Sequence, residues 1–466
     1  MDEPLLKVEG LRIGFVTRTG VIQAIDDVSF EINSGETFGL VGETGCGKSQ
    51  TAMAIMRLTP EGGVIENGEI NFNGNNLTKN IKHEFVLIKK NGQVRLKRNK
   101  SELKRLNTEM GKIRGKHISM IFQEPMTSLN PLHSIGKQIS EVVVKHNLDE
   151  IIDRILSRDN SDGEQLKEMA TLAIRQKVTR ERLLELARTK GMEGLADQIW
   201  FIINRRDIGS DQKIQAVSDL AERRIGTVTR KFLTTLKKTQ GKIPIKYRVL
   251  SKIPLVKNRF MGAIVEEARA ISYELLSLVD MPNARTVLDQ YPHELSGGMR
   301  QRAMIAMSIA AKPRLVIADE PTSALDVTVQ AQILDLLRDL KKAFGASVLF
   351  ISHDFAVIAE ICDRVGVMYA GNIVEIADLK ELFANPKHPY TQGLLAAIPK
   401  YGDKRETLLA IKGTVPDLMH PPEGCRFNTR CPRAFEKCTQ KPPWVSVGKE
   451  HMVLCWLFED GQDHVE

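Results

Sequence analysis

The segment GETGCGKS, residues 42–49, constrains the fold more than any other part of the sequence. It follows the short apolar run TFGLV (37–41) and precedes a run of helical composition, so a strand, a glycine-rich turn and a helix are predicted in that order. This is the arrangement of a P-loop, in which backbone N–H groups and a helix N-terminus surround a phosphate. The residues expected to line this site are Gly42, Glu43, Thr44, Gly45, Cys46, Gly47, Lys48, Ser49 and Gln50.

Strands alternate with helices along most of the chain. Segments 5–13 and 27–32 alternate apolar and polar residues, as half-buried strands do, and short apolar runs at 118–122, 314–318 and 346–352 indicate buried strands. Such alternation predicts an α/β fold with a largely parallel sheet. The helices predicted between these strands lie at 298–312, 326–344 and 354–362.

Carboxylate, amide and imidazole side chains stand where three of these strands end. The run LVIADEP places Asp319 and Glu320 at a strand end, while Gln123 and His353 each follow another apolar run. In a P-loop site Lys48 would reach the β- and γ-phosphates of a nucleotide, and Glu320 would orient and deprotonate the attacking water. The predicted catalytic residues are Glu320, His353 and Gln123, and the predicted Mg²⁺ ligands are Ser49, Gln123 and Asp319.

Positive charge is concentrated in two segments that interrupt the α/β pattern. Of a net charge of +8 over 466 residues, residues 79–105 carry +8 and residues 148–262 carry +9, so the remainder is acidic. Both segments are interpreted as insertions. The second is predicted to be mostly helical, with interruptions at Gly163, Gly191, Gly209, Gly226, Gly241, Pro244 and Pro254.

The chain lacks the sequence features of secretion or of membrane insertion. The acidic start MDEPLLKVEG has no basic region followed by an apolar one, and no run approaches the ~18–20 apolar residues that span a bilayer. The length suits two or three domains. We therefore expect any membrane association to be made through a partner.

The order of the motifs resembles that of an ATP-binding-cassette (ABC) ATPase. The P-loop, Gln123, LSGGMRQ (295–301), the acidic strand end, SALD (323–326) and His353 follow one another as in that family. The resemblance covers about residues 4–400 apart from the insertions. It implies an α/β ABC-type P-loop ATPase core with a helical signature subdomain, carrying the two basic insertions and a small Cys-rich C-terminal module.

The same resemblance implies that two chains share each ATP site. Ser296, Gly297 and Gly298 would then contact the γ-phosphate held by the P-loop of a partner, and Asp326 would line the same dimer interface. Phe15 is a candidate for stacking on adenine, with a plain core role as the alternative. The nucleotide contacts implied outside the P-loop are Phe15, Gln123, Ser296, Gly297, Gly298, Gln301 and Asp326.

Longer segments resemble the ATPases of oligopeptide and dipeptide importers. These are SMIFQEPMTSLNPLHSIGKQISE, YPHELSGGMRQRAMIAMSIA and the tail HPYTQGLLAAIP followed by PPEGCRFNTRCPRAFEKC. The family implies a heterodimer with a second ABC ATPase under two membrane-spanning permeases, fed by an external substrate-binding protein, at the cytoplasmic face of the cell membrane. Relatives of this group also import nickel or oligosaccharides, and those cargoes stay as alternatives. Nucleic acid is not expected as a partner.

Four cysteines lie within the last 42 residues of the chain. Four thiolates could hold zinc or a [4Fe–4S] cluster, or stay free or disulfide-paired, although the spacing lacks the close pairs of zinc sites. The family resemblance implies the cluster, with Cys425, Cys431, Cys438 and Cys455 as its ligands. Cys46 and Cys362 are expected to be packing residues.

The insertions have no assigned role from sequence. They would contact an anionic lipid surface or a neighbouring subunit, or form solvated helical excursions. A DNA-associated ABC ATPase that uses the basic insertion is the rival hypothesis from another class. The domains predicted are residues 1–385 for the ATPase, with insertions at about 79–105 and 148–262, and 386–466 for the C-terminal region.

Overall fold

The computed structural model describes residues 3–18, 20–90, 93–176, 178–189, 196–204, 209–225, 227–239, 254–323, 325–398 and 411–459. The chain divides into two compact units, which we call the core unit (Met1–Pro131 with Pro292–Glu466) and the helical unit (Leu132–Tyr291). Within the described ranges, no helix is both long enough and apolar enough to cross a membrane.

All strands of the described residues belong to the core unit. In chain order they are β1 (Leu6–Val16), β2 (Val21–Ile32), β3 (Thr37–Val41), β4 (Gly63–Phe72), β5 (Asn75–Asn76), β6 (Phe85–Lys90), β7 (Gln93–Arg98), β8 (Ile118–Ile121), β9 (Leu315–Asp319), β10 (Ser347–Ser352), β11 (Arg364–Tyr369), β12 (Asn372–Asp378), β13 (Trp444–Gly448) and β14 (His451–Leu454).

Helices occur in both units. In chain order they are α1 (Lys48–Ile55), α2 (Lys100–Met110), α3 (Pro125–Ser128), α4 (Ile135–His146), α5 (Leu148–Gln176), α6 (Arg180–Thr189), α7 (Ala196–Ile203), α8 (Ser210–Ile225), α9 (Thr227–Lys238), α10 (Pro254–Leu278), α11 (Ala284–Val287), α12 (Gly297–Ile309), α13 (Val327–Phe344), α14 (Phe355–Ile361), α15 (Leu379–Ala384) and α16 (Pro389–Ala396). Helices α4 to α11 form the helical unit.

The large sheet of the core unit has the order β13-β14-β12-β11-β3-β10-β9-β8. Strands β11, β3, β10, β9 and β8 are parallel, and every residue of β3, β9 and β10 is buried. Strands covered on both faces read as continuous apolar runs, which explains why TFGLV and SVLFIS do not alternate. The α/β fold with a parallel sheet is confirmed.

A second, antiparallel sheet has the order β2-β1-β4-β5. Its strands β1 and β2 alternate between buried and more exposed residues, as their sequences predicted. The buried face of this sheet and residues of the large sheet form one hydrophobic cluster. In this cluster Phe30 of β2 stacks on Phe38 of β3, with ring centroids 5.2 Å apart. This packing holds the antiparallel sheet next to the strand that leads into the P-loop.

The C-terminal tail extends the large sheet. Strand β14 pairs antiparallel with β12, Glu375 opposite Val453, and β13 pairs with β14 at the sheet edge. The tail was expected to form a separate module from residue 386. Its described residues instead lie in the same compact unit as the P-loop.

The helical unit contains the second predicted insertion, and its described part is helical as expected. The prediction that Gly163 interrupts a helix is wrong, because α5 runs through it from Leu148 to Gln176. Downstream in the same helix, buried residues such as Leu166 and Met169 pack in an apolar cluster with α6, α7 and α8. Glycine disfavours a helix interior by only about 1 kcal/mol relative to alanine, so tertiary packing outweighs it. Gly191, Gly226, Gly241 and Pro244 lie outside the described residues, and Gly209 and Pro254 stand where α8 and α10 begin.

The first predicted insertion forms the antiparallel hairpin β6–β7, followed by α2. Arg98 Nη2 donates to the carbonyl oxygen of Gly63 at 2.9 Å, which ties the end of the hairpin to β4. Helix α2 begins after Asn99, whose side chain accepts a hydrogen bond from Ser101 N.

Candidate functional site

The P-loop connects β3 to α1 and is built around close backbone contacts. A Cβ at Gly42 would overlap the carbonyl oxygen of Met368, and a Cβ at Gly47, which has φ 107°, would overlap Ile25. Only glycine fits both positions without strain. Of the other predicted phosphate-binding residues, Thr44 and Gly45 are exposed, while Ser49 and Gln50 are half-buried.

Lys48 begins α1, and its side chain is buried within the loop. Its Nζ donates to the carbonyl oxygens of Gly42 at 2.8 Å and Glu43 at 3.1 Å, and lies 3.7 Å from Cys46 Sγ. Burial raises the pKa of the Cys46 thiol, and the Lys48 charge opposes that shift. The thiol therefore packs under the loop, as predicted.

Two of the three residues predicted to hold Mg²⁺, Ser49 and Asp319, meet at the carboxyl end of the sheet. Ser49 Oγ donates to Asp319 Oδ1 at 2.9 Å, although the residues are 270 positions apart. Burial raises the pKa of Asp319 to about 6, and the hydrogen bond from Ser49 partly opposes this shift. A hydroxyl and a carboxylate supply the hard oxygen ligands that Mg²⁺ prefers, so the pair fits this ion.

Glu320 lies between the two other predicted catalytic side chains. Gln123 Nε2 donates to Glu320 Oε2 at 2.9 Å, and His353 Nδ1 lies 3.2 Å from Glu320 Oε1. Glu320 adopts a positive φ of 46°, which is costly for a residue with a side chain, and its N–H donates to the carbonyl oxygen of Ile351 at 3.0 Å. The strand ends therefore gather the whole predicted catalytic set.

The LSGGMRQ segment forms the start of α12 on the surface of the core unit. Ser296 caps the helix by accepting a hydrogen bond from Met299 N, and both Ser296 and Gly297 are exposed. Among the described residues, the atom nearest to a Cβ on Gly297 would be Leu325 Cδ2 at 3.8 Å, whereas a Cβ on Gly298 would lie 2.8 Å from Val329 Cγ1. An uncovered helix N-terminus with free backbone N–H groups can receive an anion.

The remaining predicted nucleotide contacts have different surroundings. Gln301 is 3% exposed, and among the described residues no acceptor lies within hydrogen-bond distance of its Nε2. Asp326 is exposed and caps α13 by accepting from Val329 N at 3.0 Å. Phe15 is half-buried and packs against the core cluster beside Gly63, so both proposed roles for its ring stay open.

Sequence reasoning missed a set of residues from the C-terminal region that contact the P-loop. Arg430 binds the Glu43 carboxylate with two hydrogen bonds of 2.8 and 3.1 Å, and Tyr390 Oη accepts one from Glu43 N at 3.1 Å. The Glu43 carboxylate raises the pKa of the Arg430 guanidinium. The only sequence signal is that Arg430 immediately precedes Cys431, and that signal names no partner.

A buried carboxylate organises the segment that carries Tyr390. Glu375 is fully buried and accepts hydrogen bonds from Lys387 N at 2.7 Å and His388 N at 2.9 Å, while His451 Nε2 lies 2.8 Å from its Oε1. His388 Nδ1 in turn accepts from Tyr390 N. Burial lowers the pKa of His388 to about 4.

The four tail cysteines occupy one neighbourhood of the core unit. Burial raises the pKa of Cys425 to about 11 and of Cys455 to about 12, and the other thiols of the set push both further up. Cys425 N donates a hydrogen bond to Cys438 O at 3.0 Å, which joins two of the cysteine-bearing segments directly. All six cysteines of the chain are described, and none forms a disulfide.

The four tail thiols can be compared with the needs of zinc and of a [4Fe–4S] cluster. Across the described ranges, no group of three or more His, Cys, Asp or Glu side chains is arranged to hold a single metal ion. Four neighbouring thiols are the donor set of an iron–sulfur cluster, whose cysteine ligands bind separate iron atoms.

Comparisons with known proteins give consistent matches. Residues 25–197 and 202–323 match the family model for the ABC transporter, and residues 374–438 match that for the oligopeptide/dipeptide transporter, C-terminal region. The chain is 36% identical over 465 residues to the oligopeptide transport ATP-binding protein OppD of Bacillus subtilis (strain 168), covering 99% of this chain and 91% of the relative. It is 32% identical over 464 residues to the dipeptide transport ATP-binding protein DppD of the same organism, covering 99% and 97%. A solved dimeric ATP-binding cassette with ADP and phosphate bound is similar with a TM-score of 0.45 at 17% identity, covering 80% of this chain and 98% of that one.

Proposed function

The chain belongs to the ABC transporter family, among the ATP-binding proteins of oligopeptide and dipeptide transporters, and we propose that it hydrolyses ATP to power peptide import. The observation that carries this function is the placement of Glu320. Its carboxylate lies between Gln123 and His353, one residue after the Asp319 carboxylate that accepts from Ser49 of the P-loop. An acid, an amide and an imidazole at neighbouring strand ends are groups suited to transfer of the γ-phosphoryl group of ATP to water.

ATP binds with its phosphates in the P-loop. The backbone N–H groups around Gly45 and Gly47 and the N-terminus of α1 bind the β- and γ-phosphate oxygens, and Lys48 transfers its hydrogen bonds from loop carbonyls to these anions. Ser49, Asp319 and Gln123 are the residues that would hold Mg²⁺, which would neutralise charge on the phosphates. Phe15, near the end of β1, is proposed to cover one face of the adenine.

Hydrolysis uses the Glu320 carboxylate as the general base. A water held by Glu320 attacks the γ-phosphorus, its proton passes to the carboxylate, and the bond to the β-phosphate oxygen breaks to give ADP and phosphate. His353 donates to the γ-phosphate, and Gln123 keeps the carboxylate oriented. The positive φ of Glu320 supports this role, because strained backbone is concentrated at functional sites.

Each complete site needs a second cassette. The exposed N-terminus of α12, with Ser296 and Gly297 uncovered, is suited to approach the γ-phosphate held by the P-loop of a partner. Asp326 is exposed and is proposed to line the same interface, whereas Gln301 is buried in this chain. The expected partners are a second ABC ATPase, two membrane-spanning permeases and an external substrate-binding protein, which would place the chain peripherally at the cytoplasmic face of the membrane.

The four tail cysteines are proposed to hold a [4Fe–4S] cluster. Four free thiols in one neighbourhood supply the ligands that such a cluster needs, and they belong to Cys425, Cys431, Cys438 and Cys455. The cluster would cross-link the segments of the tail that carry these cysteines. Iron and sulfide analysis of anaerobically purified protein tests this, with Cys438→Ser expected to lose iron and Cys362→Ser expected to keep it.

Peptide uptake by cells that depend on this transporter tests the proposed function. Lys48→Ala should abolish growth on an oligopeptide as the sole source of a required amino acid, because the phosphates lose their main cation. Lys342→Ala removes an exposed lysine and should leave growth unchanged. Normal uptake with Lys48→Ala would contradict the proposal, as would purification of the tagged chain from membranes without permeases or a second cassette.

A further inference from the structure

Two side chains from the C-terminal region hold Glu43, the second residue of the P-loop. Arg430 binds its carboxylate and the Tyr390 hydroxyl accepts its backbone N–H. The Glu43 carbonyl oxygen meanwhile accepts from Lys48 Nζ at 3.1 Å. The residue that connects the C-terminal region to the loop thus also contacts the lysine proposed to bind phosphate.

All N–H groups of Arg430 donate hydrogen bonds within the chain. Its side chain is 4% exposed, and each of its five N–H groups has an acceptor. Besides the two bonds to Glu43, Nη1 donates to Tyr369 Oη at 3.3 Å, Nε to Lys412 O at 3.1 Å and Nη2 to Ile411 O at 3.4 Å. A guanidinium bound on all sides has one orientation, so the position of the Glu43 carboxylate is fixed with it.

The Tyr390 hydroxyl is held by an aromatic cluster. The rings of Tyr390, Tyr369 and Phe427 pack with centroid separations of 4.6, 5.1 and 5.3 Å, and Tyr390 is fully buried. Phe427 and Arg430 both belong to the tail segment between Cys425 and Cys431, where Arg430 N donates to Phe427 O at 3.0 Å. The same cysteine-bearing turn therefore supports both contacts to Glu43.

We propose that Arg430 and Tyr390 are positioning residues that hold the P-loop at Glu43 in the geometry that receives ATP. The inference rests on the proposed ATP binding and adds a role for the C-terminal region at that site. By fixing Glu43 at its carboxylate and at its N–H, the two residues order the start of the loop before the nucleotide arrives. Preorganisation of this kind strengthens binding because less order is lost when the ligand binds.

The test is equilibrium dialysis of ATP against the purified full chain without Mg²⁺. Arg430→Gln should weaken ATP binding by about fivefold to tenfold, the scale of one charge-assisted hydrogen bond, because the loop must then be ordered when ATP binds. Tyr390→Phe should weaken it by about twofold, since it removes one neutral hydrogen bond. Arg433→Gln removes the same charge from an exposed position of the same tail and should bind ATP like the wild type.

Two comparisons separate positioning from general structural damage. Glu43→Gln combined with Arg430→Gln should bind ATP no worse than the poorer single variant, because both remove the same contact. Arg430→Lys, which keeps the charge, should recover part of the affinity. Hydrolysis at saturating ATP should keep its wild-type maximal rate in Arg430→Gln while KM rises, since Arg430 lies outside the catalytic groups.

Cysteine reactivity gives a direct readout of the loop. Cys46 is 1% exposed beneath the P-loop, whereas Cys362 is buried against Gly39, away from Glu43. In Arg430→Gln and Tyr390→Phe, N-ethylmaleimide should alkylate Cys46 at least about threefold faster while Cys362 keeps its wild-type rate, because only opening at the loop frees Cys46. Mass spectrometry of the two tryptic peptides gives both rates.

The outcomes are distinguishable. Wild-type or tighter ATP affinity in Arg430→Gln and Tyr390→Phe overturns the positioning role, and so does equal acceleration at Cys46 and Cys362, which would indicate a general loss of structure. If the wild-type chain itself failed to bind ATP, the proposed function would fall, whatever the variants did. Should Arg430→Gln fail to fold, Tyr390→Phe, which keeps its ring, carries the same test.

Discussion

Gln123 Nε2 donates a hydrogen bond of 2.9 Å to Glu320 Oε2, although the two residues are 197 positions apart. Gln123 follows β8 and Glu320 follows β9. These two strands are parallel neighbours, with Ile121 opposite Ala318. The pairing of these strands thus brings an exposed loop amide to the proposed general base. Movement of the loop that begins at Gln123 would change the orientation of that carboxylate.

Gln123→Ala removes this hydrogen bond and leaves the P-loop untouched. We expect ATP hydrolysis to fall about tenfold, since the lost bond is worth about 1.4 kcal/mol, while ATP affinity measured without Mg²⁺ stays within about twofold of wild type. Phosphate release and ATP binding measured on the same preparation check this. Asn75→Ala removes an exposed amide elsewhere in the core unit and serves as the control. A weaker ATP affinity with unchanged turnover would contradict the assigned role.

The two signature glycines should respond differently to alanine. At Gly297 the nearest atom of the described residues to an added methyl group is Leu325 Cδ2 at 3.8 Å, so Gly297→Ala should keep its melting temperature yet lose hydrolysis, because the methyl blocks a partner's phosphate. At Gly298 the methyl lies 2.8 Å from Val329, so Gly298→Ala should also lower stability, by about 1–2 kcal/mol. Calorimetry and phosphate release separate the effects. Full hydrolysis by Gly297→Ala would argue against a shared site.

Burial of His388 predicts a pH dependence of stability. Its pKa is lowered to about 4 in the folded chain, below the usual value near 6.5, so the unfolded chain binds more protons between these values. The contribution of His388 to the free energy of unfolding is therefore fully present above about pH 6.5. It declines as the pH falls towards 4, with about 2 kcal/mol lost at pH 5.

The His388→Asn variant isolates that contribution. Asparagine can still cap α16 in place of the imidazole, but it does not titrate. Urea unfolding of wild type and variant at pH 7 and pH 5 should show a difference in free energy that shrinks or reverses at pH 5. Equal pH dependence in the two proteins would show that His388 is not the titrating group.

The P-loop and the catalytic set could be predicted because their signals are local. In each case an apolar run that reads as a buried strand leads directly into polar residues, as TFGLV leads into GETGCGKS and LVIA leads into Asp319 and Glu320. Parallel strands place their carboxyl ends at one sheet edge, so the meeting of Gln123, Glu320 and His353 follows from the strand order.

The contacts of the C-terminal region could not be predicted in the same way. Arg430 and Glu43 are 387 positions apart, and nothing in either local segment names the other. The attachment of β14 to β12 likewise depends on buried contacts such as Glu375 with His451, which no periodic pattern announces. At Gly163 a local breaker signal was outweighed by the packing of α5.

The identity of Glu320 as the general base is tested most directly by single-turnover hydrolysis of ATP in Glu320→Gln, with Glu31→Gln as an exposed control. The amide preserves the shape of the side chain and a hydrogen bond with Gln123, but it cannot accept the proton of the attacking water. We predict that Glu320→Gln binds ATP at wild-type affinity and releases phosphate at least about 100-fold more slowly, in line with loss of a general base. Phosphate release within about twofold of the wild-type rate would contradict the mechanism.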